Sequence, residues 1–303
     1  MRAVSSITTP PPSDDINEYK LPIPMRDGYL NTARIRQPKL TPAGGSPLIV
    51  LAFGGGFIAG DNHQMATEAQ ALVQLYGAVV VNISYRLAPE HKFPCSWEDS
   101  WDNLVWLAQH GAEIGADLAR GFVVGGTSAG AKVAAACARK AQVEPLAYPL
   151  TGQWLYVPWV LEEQQVPEKW SHLFMSRQHN KDAPILCTAD LEKVLGYTGL
   201  DSDSPWASPV RFDHPLAGLP KTYIQVDGMD PLRDDGLLYD EMLKEAGVAS
   251  RCDLYPGVPH AHAAFMPGTE IARKAVVDLL VAVGWMLNQG ICEERALEVL
   301  ATK

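Results

Sequence analysis

The chain has 303 residues, of which 47% are hydrophobic and 20% are charged, and its formal net charge is −10. This composition is ordinary for a globular protein with a full core, and the acidic balance argues against nucleic acid or an anionic membrane as the main partner. The five cysteines are scattered and form no Cys-x-x-Cys pair. This pattern argues against a disulfide framework or a structural zinc site and favours free thiols in a reducing compartment.

The N-terminal segment, residues 1–20, is rich in Pro, Ser, Thr and Asp, which predicts a loose arm. It contains no apolar run of signal-peptide length. The most apolar stretch, residues 275–287, is too short for a membrane span and includes Asp278. We therefore expect a cytoplasmic protein without stable membrane association.

From residue 47 onward, short apolar runs alternate with segments of helical spacing. The runs are typical of buried strands, and the Ala-rich or amphipathic segments between them favour helices. In chain order the pattern predicts a strand over 47–53, a strand over 78–84, a helix over 96–110, a strand over 121–125, a helix over 129–141, a strand over 222–226, a helix over 234–246, a strand over 251–255 and a helix over 270–287. This alternation predicts a single α/β domain over residues 1–303, with a mostly parallel central sheet and helices on both faces.

Residues 148–209 interrupt the alternation. They carry Trp154, Trp159, Trp170 and Trp206, half of the eight tryptophans, together with many prolines and polar residues. We interpret this stretch as a helical cap inserted between core strands, with Trp154 and Trp159 binding substrate. The alternative is a helical excursion whose aromatic side chains only pack against the core.

A candidate nucleophile lies where a strand meets a helix. Gly126-Thr127-Ser128-Ala129-Gly130 follows an apolar run and precedes the Ala-rich segment. A Gly-x-Ser-x-Gly sequence in this setting is typical of a nucleophile elbow, in which a tight turn lifts the serine hydroxyl clear of the sheet. The alternative, a helix-capping serine in a Gly-rich turn, explains the spacing less well. We therefore predict that Ser128 is the nucleophile.

Backbone amides that bind an oxyanion are expected from two places. Ala129 follows the nucleophile directly, and Gly54-Gly55-Gly56 forms a Gly-rich loop after an earlier strand. A dinucleotide-binding loop is the rival interpretation, because Gly54, Gly56 and Gly60 follow a strand. Such folds usually carry an acidic residue at the end of the next strand, and residues 79–86 offer none.

The catalytic acid is expected after the nucleophile in the chain. Asp230 lies in the loop that follows the predicted strand 222–226, where the acid of a Ser-Asp-His order belongs. Asp227 and Asp234 are competitors. Asp230 could also act only as a cap of the helix that opens near Arg233.

The catalytic base is expected after the next strand. His260 comes first after the Gly-Val-Pro turn and is the favoured base, with His262 as its rival. The two histidines could also indicate a metal site. The chain offers no second His pair and no clustered carboxylates to complete one, so we predict no bound metal.

Taken together, these segments resemble the hormone-sensitive-lipase-like family of α/β-hydrolases, in its Gly-Thr-Ser-Ala-Gly branch. The blocks that carry the resemblance occur in family order and are Phe53-Gly54-Gly55-Gly56-Phe57, Tyr85-Arg86-Leu87-Ala88-Pro89-Glu90, Gly126 to Gly130, Asp230-Pro231-Leu232-Arg233-Asp234 and Gly257-Val258-Pro259-His260. The resemblance implies the α/β-hydrolase fold and hydrolysis of a small-molecule carboxylic ester without a cofactor. It also implies a cap built from the N-terminus and residues 148–209. We further expect Phe57 to contact the substrate.

Two departures from the family pattern bear on the substrate. Phe53 stands where the family carries a histidine that organises the glycine loop by hydrogen bonding. Only 52 residues precede it, which predicts a reduced N-terminal cap over residues 1–25 and a more open site. Both features favour a bulky or specialised ester. They also leave open a non-hydrolytic enzyme on the same fold, such as an acyltransferase, lyase or cyclase. The sequence also leaves open whether the protein forms a homodimer.

Overall fold

A single sheet forms the centre of the computed structural model, which describes residues 13–301. Its strands in chain order are β1 (Ile16–Pro24), β2 (Leu30–Pro38), β3 (Leu48–Ala52), β4 (Val79–Ile83), β5 (Phe122–Thr127), β6 (Gly152–Tyr156), β7 (Lys221–Asp227) and β8 (Ser250–Tyr255). Their order across the sheet is β1-β2-β4-β3-β5-β6-β7-β8.

The sheet is parallel from β4 through β8 and antiparallel at its N-terminal edge. β1 pairs with β2, and β2 pairs with β4, in antiparallel register, whereas every pairing from β4 to β8 is parallel. The carboxyl ends of the parallel strands therefore lie along one edge of the sheet, where ligand sites of open α/β sheets form.

The described helices are α1 (Ala66–Tyr76), α2 (Cys95–His110), α3 (Ala129–Val143), α4 (Glu168–Ser171), α5 (Ser176–His179), α6 (Thr188–Thr198), α7 (Arg233–Glu245), α8 (His262–Phe265), α9 (Glu270–Met286) and α10 (Glu293–Ala301). Three of them, α4 to α6, lie between β6 and β7. Within residues 13–301, no helix is both long and apolar enough to cross a membrane.

Helices cover both faces of the sheet because successive strand residues point to opposite sides. Val50 belongs to the core that packs against α2, α3 and α7, and its neighbour Leu51 belongs to the core that packs against α1, α9 and α10. All five residues of β3 are buried. The predicted α/β-hydrolase architecture, a mostly parallel sheet covered on both faces with a helical cap, is confirmed.

The nine elements expected from the alternation are present, with bounds shifted by at most two residues. Two of the predicted boundaries do not hold. Residues 16–24 form β1, an edge strand, so this part of the expected N-terminal arm is part of the sheet, while residues 1–12 lie outside the described residues. Residues 152–156 form β6, a central strand inside the expected cap segment 148–209. The inserted helices therefore begin only after Tyr156.

Candidate active site

Ser128 lies at the carboxyl edge of the sheet, between the end of β5 and the start of α3. Its backbone is in an unusual conformation for a residue with a side chain, with φ 57° and ψ −116°. The flanking glycines make this turn possible. A Cβ at Gly126 would lie 2.5 Å from the Ala52 carbonyl oxygen, and one at Gly130 would lie 2.1 Å from the same atom. Only glycine fits at either position, because each backbone passes directly over the neighbouring strand.

Ser128, His260 and Asp230 form a continuous hydrogen-bonded chain. The Ser128 hydroxyl lies 2.9 Å from His260 Nε2, and His260 Nδ1 lies 2.6 Å from Asp230 Oδ2. The carboxylate can only accept, so Nδ1 carries the proton and Nε2 is left to accept from the serine. The other Asp230 oxygen accepts from the backbone N–H of Leu232 at 2.8 Å. The structure thus brings together the three residues that the sequence singled out for the nucleophile, the base and the acid.

The two rival residues, Asp227 and His262, form a second pair of their own. His262 Nδ1 lies 2.8 Å from Asp227 Oδ1, and its backbone N–H donates to Asp227 Oδ2. The Tyr156 hydroxyl lies 3.1 Å from the same ring nitrogen. Both Asp227 and His262 are fully buried, and burial raises the pKa of the Asp227 carboxyl above its ordinary value. This pair does not reach Ser128 and holds the loop that carries His260.

The third competitor, Asp234, also has a different task. Its Oδ2 accepts from the backbone N–H groups of Met175 and Ser176, at 2.7 and 2.6 Å. It therefore binds the cap to the start of α7 and stands apart from the Ser128 chain.

The glycine loop lies directly beside the nucleophile. A Cβ at Gly54 would lie 2.8 Å from the Thr127 carbonyl oxygen and 3.4 Å from Ser128 Cβ. Gly55 and Gly56 have φ values of 127° and 60°, in the left-handed region that favours glycine. Among the described residues, the amides of Gly55, Gly56 and Ala129 have no hydrogen-bond acceptor.

Gly54 differs from the other three expected oxyanion donors. Its N–H donates to Gln64 Oε1 at 3.0 Å, so this amide is already engaged. The prediction that Gly54 supplies a donor is therefore wrong in this structure, and Gly54 instead supplies the close packing against the elbow. Gln64 gave no signal in the sequence, because it lies ten residues along the chain in a polar loop.

The cap contributes an apolar wall beside the glycine loop. Trp159, Leu191, Val194 and Leu232 form a buried cluster, against which Ile58 packs. Val194, from α6, comes so close to the loop that a Cβ at Gly56 would lie 2.9 Å from Val194 Cγ2. Trp159 was expected to bind substrate, and it lies in this wall. Its indole N–H is buried and has no hydrogen-bond partner among the described residues.

The other two side chains expected at the substrate site lie elsewhere. Phe57 is 1% exposed and stacks on Trp97 behind the glycine loop, with ring centroids 4.1 Å apart. Trp154 belongs to β6 and packs in the core on the α9 side of the sheet, where its indole N–H donates to Gln225. Both are core residues: Trp154 points to the α9 side of the sheet from its strand, and Phe57 packs on Trp97 from the loop after the glycines.

A buried group of charges lies one helical turn beyond the nucleophile. Lys132 pairs with Glu162 at 3.1 Å and lies over the Trp159 ring. Asp235 pairs with Arg177 at 2.9 Å. Burial lowers the pKa of Lys132 and raises the pKa of Asp235 to about 7, although Arg177 acts in the opposite direction on Asp235. These charges join α3, α5 and α7 to the segment that leads into the cap.

No group of three or more His, Cys, Asp or Glu side chains suited to a metal ion occurs within residues 13–301.

Known proteins are similar to this chain in sequence and in fold. The profile of the alpha/beta hydrolase fold family matches residues 49–264. The chain is 37% identical over 265 residues to esterase LipI of Mycobacterium tuberculosis. This match covers 84% of this chain and 78% of the relative. It is 31% identical over 245 residues to the versiconal hemiacetal acetate esterase of Dothistroma septosporum, with 80% and 74% covered.

One solved structure has a similar fold over almost the whole chain. It is described as a vibralactone cyclase, and it superposes with a TM-score of 0.84 at 30% sequence identity. The match covers 92% of this chain and 82% of that one.

Proposed function

Because the chain belongs to the hormone-sensitive-lipase-like family of α/β-hydrolases, we propose that it is a serine hydrolase that cleaves carboxylic esters through an acyl-enzyme on Ser128. Its relatives include named esterases, and it is a carboxylic ester hydrolase. The single observation that carries the catalytic assignment is the chain of hydrogen bonds from Ser128 through His260 to Asp230.

In the acylation step, His260 Nε2 accepts the proton of the Ser128 hydroxyl while the serine oxygen attacks the ester carbonyl. The carbonyl oxygen becomes negatively charged, and the amides of Gly55, Gly56 and Ala129 donate to it. Asp230 stabilises the imidazolium and keeps Nδ1 protonated. The carbon–oxygen bond to the leaving alcohol then breaks, and His260 returns its proton to that alcohol.

In the deacylation step, water takes the place of the departed alcohol. His260 accepts a proton from the water as its oxygen attacks the acyl carbon. The same amides stabilise the second oxyanion, and the bond between the acyl group and Ser128 breaks as His260 returns its proton to the serine oxygen. The products are the carboxylic acid and free enzyme, so one water molecule is consumed in each turnover.

The substrate we propose is an apolar and bulky ester. The cluster of Trp159, Leu191, Val194 and Leu232 beside the glycine loop is apolar, which favours an apolar acyl or alcohol part. The similarity to an enzyme named for a hemiacetal acetate supports a specialised substrate.

A cyclase is the second candidate. It is favoured by one observation, the similarity to a structure described as a vibralactone cyclase. The two functions differ in mass balance: hydrolysis adds one water to the substrate, whereas cyclisation within one molecule adds none.

The deciding experiment is a panel of esters graded by size, followed by mass spectrometry of the products. We expect each turned-over ester to give an acid and an alcohol, with faster turnover of bulky apolar esters than of short acetates. Ser128→Ala should lower kcat by at least about 10⁴-fold, because the covalent step is lost. It should also abolish the adduct that a fluorophosphonate probe forms with the parent protein.

Ser202→Ala is the matched control, since Ser202 is exposed on the cap and its side chain takes no part in the site. It should keep the parent turnover and the parent adduct. Retained turnover in Ser128→Ala would overturn the acyl-enzyme. A product without added water would establish the cyclase instead.

We place the protein in the cytoplasm, acting on a small molecule without nucleic acid or membrane as partner. The support is that all five cysteines are unpaired and that the net charge is −10. Fractionation of cells that express the natural protein would test this, and recovery with the membrane pellet would contradict it.

A further inference from the structure

The side chain of Gln64 holds the backbone of Gly54 with two hydrogen bonds. Its Oε1 accepts from the Gly54 N–H at 3.0 Å, and its Nε2 donates to the Gly54 carbonyl at 3.2 Å. One planar amide thus binds both polar groups of a single residue, which restricts rotation of that stretch of backbone. Gly54 directly precedes Gly55 and Gly56, whose amides are two of the three proposed oxyanion donors.

Gly54 is held from the opposite side by the nucleophile elbow. It packs so closely on Thr127 and Ser128 that a Cβ would lie 2.8 Å from the Thr127 carbonyl oxygen. The residue therefore lies between the elbow and the Gln64 amide. Its position sets the distance between the serine oxygen and the amides that follow it in the loop.

Gln64 is itself anchored to the rigid part of the sheet. Asn82 of β4 donates from its side chain to the Gln64 carbonyl at 3.0 Å, and Arg36 of β2 donates to Asn82 Oδ1 at 3.0 Å. Arg36 pairs with Glu18 of β1 at 2.8 Å. Asn82 and Arg36 are each 1% exposed. A continuous series of polar contacts therefore runs from the N-terminal hairpin to the glycine loop.

Phe53 supplies packing and no polar support. Its ring stacks on Tyr85 with centroids 4.1 Å apart and planes 11° apart, and the Tyr85 hydroxyl donates to the Phe53 carbonyl at 2.5 Å. The phenylalanine side chain has no polar atom that could donate or accept a hydrogen bond. Side-chain hydrogen bonding to Gly54 therefore comes from residue 64.

We propose that Gln64 is a positioning residue that sets the oxyanion donors Gly55 and Gly56 against Ser128. The inference rests on the proposed ester hydrolysis. Oxyanion donors act only when they are already in place as charge develops. A loop that rotates freely at Gly54 would therefore stabilise the transition state less than the held loop does, while binding of the ground state would change little. Gln64 thereby acts on kcat through the backbone and does not touch the substrate.

The first test replaces Gln64 by leucine, which has a similar size and makes neither hydrogen bond. Gln64→Leu should lower kcat on a short ester by about 10- to 100-fold, with KM changed less than about twofold. Binding of a trifluoromethyl ketone, which forms a tetrahedral adduct with an oxyanion, should weaken by the same factor as kcat/KM falls. Gln74→Leu is the control and should match the parent, since Gln74 is a half-buried glutamine of α1 whose side chain donates to Ser13.

The second test replaces Gln64 by glutamate, so that the result does not depend on one variant folding. One oxygen of the ionised glutamate still accepts from the Gly54 N–H. The other oxygen, which cannot donate, lies against the Gly54 carbonyl oxygen and repels it. Once protonated, it donates there as the glutamine does. The kcat/KM of Gln64→Glu relative to the parent should therefore rise as the pH falls toward the ordinary Glu pKa of about 4.3.

A kcat of Gln64→Leu equal to that of the parent would overturn the inference. So would a loss of turnover that merely follows the loss of folded protein, measured by active-site titration, with unchanged affinity for the trifluoromethyl ketone. A flat pH ratio for Gln64→Glu would do the same. These outcomes are separate from failure of the proposed function, which would appear as turnover retained in Ser128→Ala.

Discussion

Two histidines separated by a single residue have different environments in this protein. His260 faces the Ser128 hydroxyl, which is partly exposed, at the carboxyl edge of the sheet. His262 is completely buried between Asp227, Tyr156 and the Ile271 carbonyl. The first is placed for proton transfer and the second for holding the loop.

This difference predicts separate losses for the two alanine variants. His260→Ala should lower kcat/KM by at least about 10³-fold, because the general base is absent. His262→Ala should destabilise the fold by about 3 kcal/mol, since it leaves the buried Asp227 carboxyl without its partner. Urea unfolding and ester turnover measure the two effects. A larger stability loss for His260→Ala than for His262→Ala would contradict the assignment.

At the scale of elements, the start of α7 holds the cap in place. Asp234 accepts from the backbone amides of residues 175 and 176, and Asp235 Oδ1 accepts from those of Val160 and Leu161 at 3.1 Å. Two adjacent carboxylates thus satisfy four amides of the inserted segment. The inserted segment is therefore held beside the loop that contains the triad acid Asp230.

The contribution of Asp235 to the stability of the protein depends on pH. Burial raises its pKa to about 7, above the ordinary 3.8, so the folded protein binds more protons at this carboxyl than the unfolded chain between these pH values. Its contribution to stability is complete below pH 3.8 and is lost as the pH rises through 7. The free energy of unfolding of the parent should fall, relative to Asp235→Asn, as the pH rises from about 4 to 7.

Urea unfolding at a series of pH values measures this difference. Asp182→Asn is the control, because the Asp182 side chain is 87% exposed. Its unfolding profile should run parallel to that of the parent. Parallel profiles for Asp235→Asn as well would show that the carboxyl does not titrate in this range.

At the scale of the whole molecule, the thiols differ sharply in access. All five cysteines are unpaired, and only Cys292 is exposed. Burial raises the pKa of Cys137 to about 12 and of Cys95 to about 11, which keeps both as unreactive thiols.

Titration with Ellman's reagent should therefore find one fast thiol in the folded protein and five after denaturation without reductant. Cys292→Ser should remove the fast phase and leave turnover unchanged, since this residue lies at the start of the C-terminal helix, far along the chain from the site. Fewer than five thiols in denaturant would reveal a disulfide.

The elements that the sequence predicted are those whose signal is local. The runs 47–53 and 121–125 are apolar throughout because parallel strands are buried on both faces, and this alone identifies them. β1 was missed because it is an edge strand, and its exposed residues include Lys20 and two prolines. β6 was missed because its tryptophan, Trp154, resembled the aromatic residues of the cap.

Local sequence was enough to predict the order of the site's segments: a glycine loop first, then an elbow after a buried strand, and then an acid and a base. These follow from short-range patterns, because each rests on a turn or an apolar run of a few residues. The choice of Asp and His that reach Ser128 follows only from the fold. So does the contact in which the Gly54 N–H donates to Gln64 and is not left for an oxyanion. Those contacts join residues brought together by strand order, and no local pattern records that proximity.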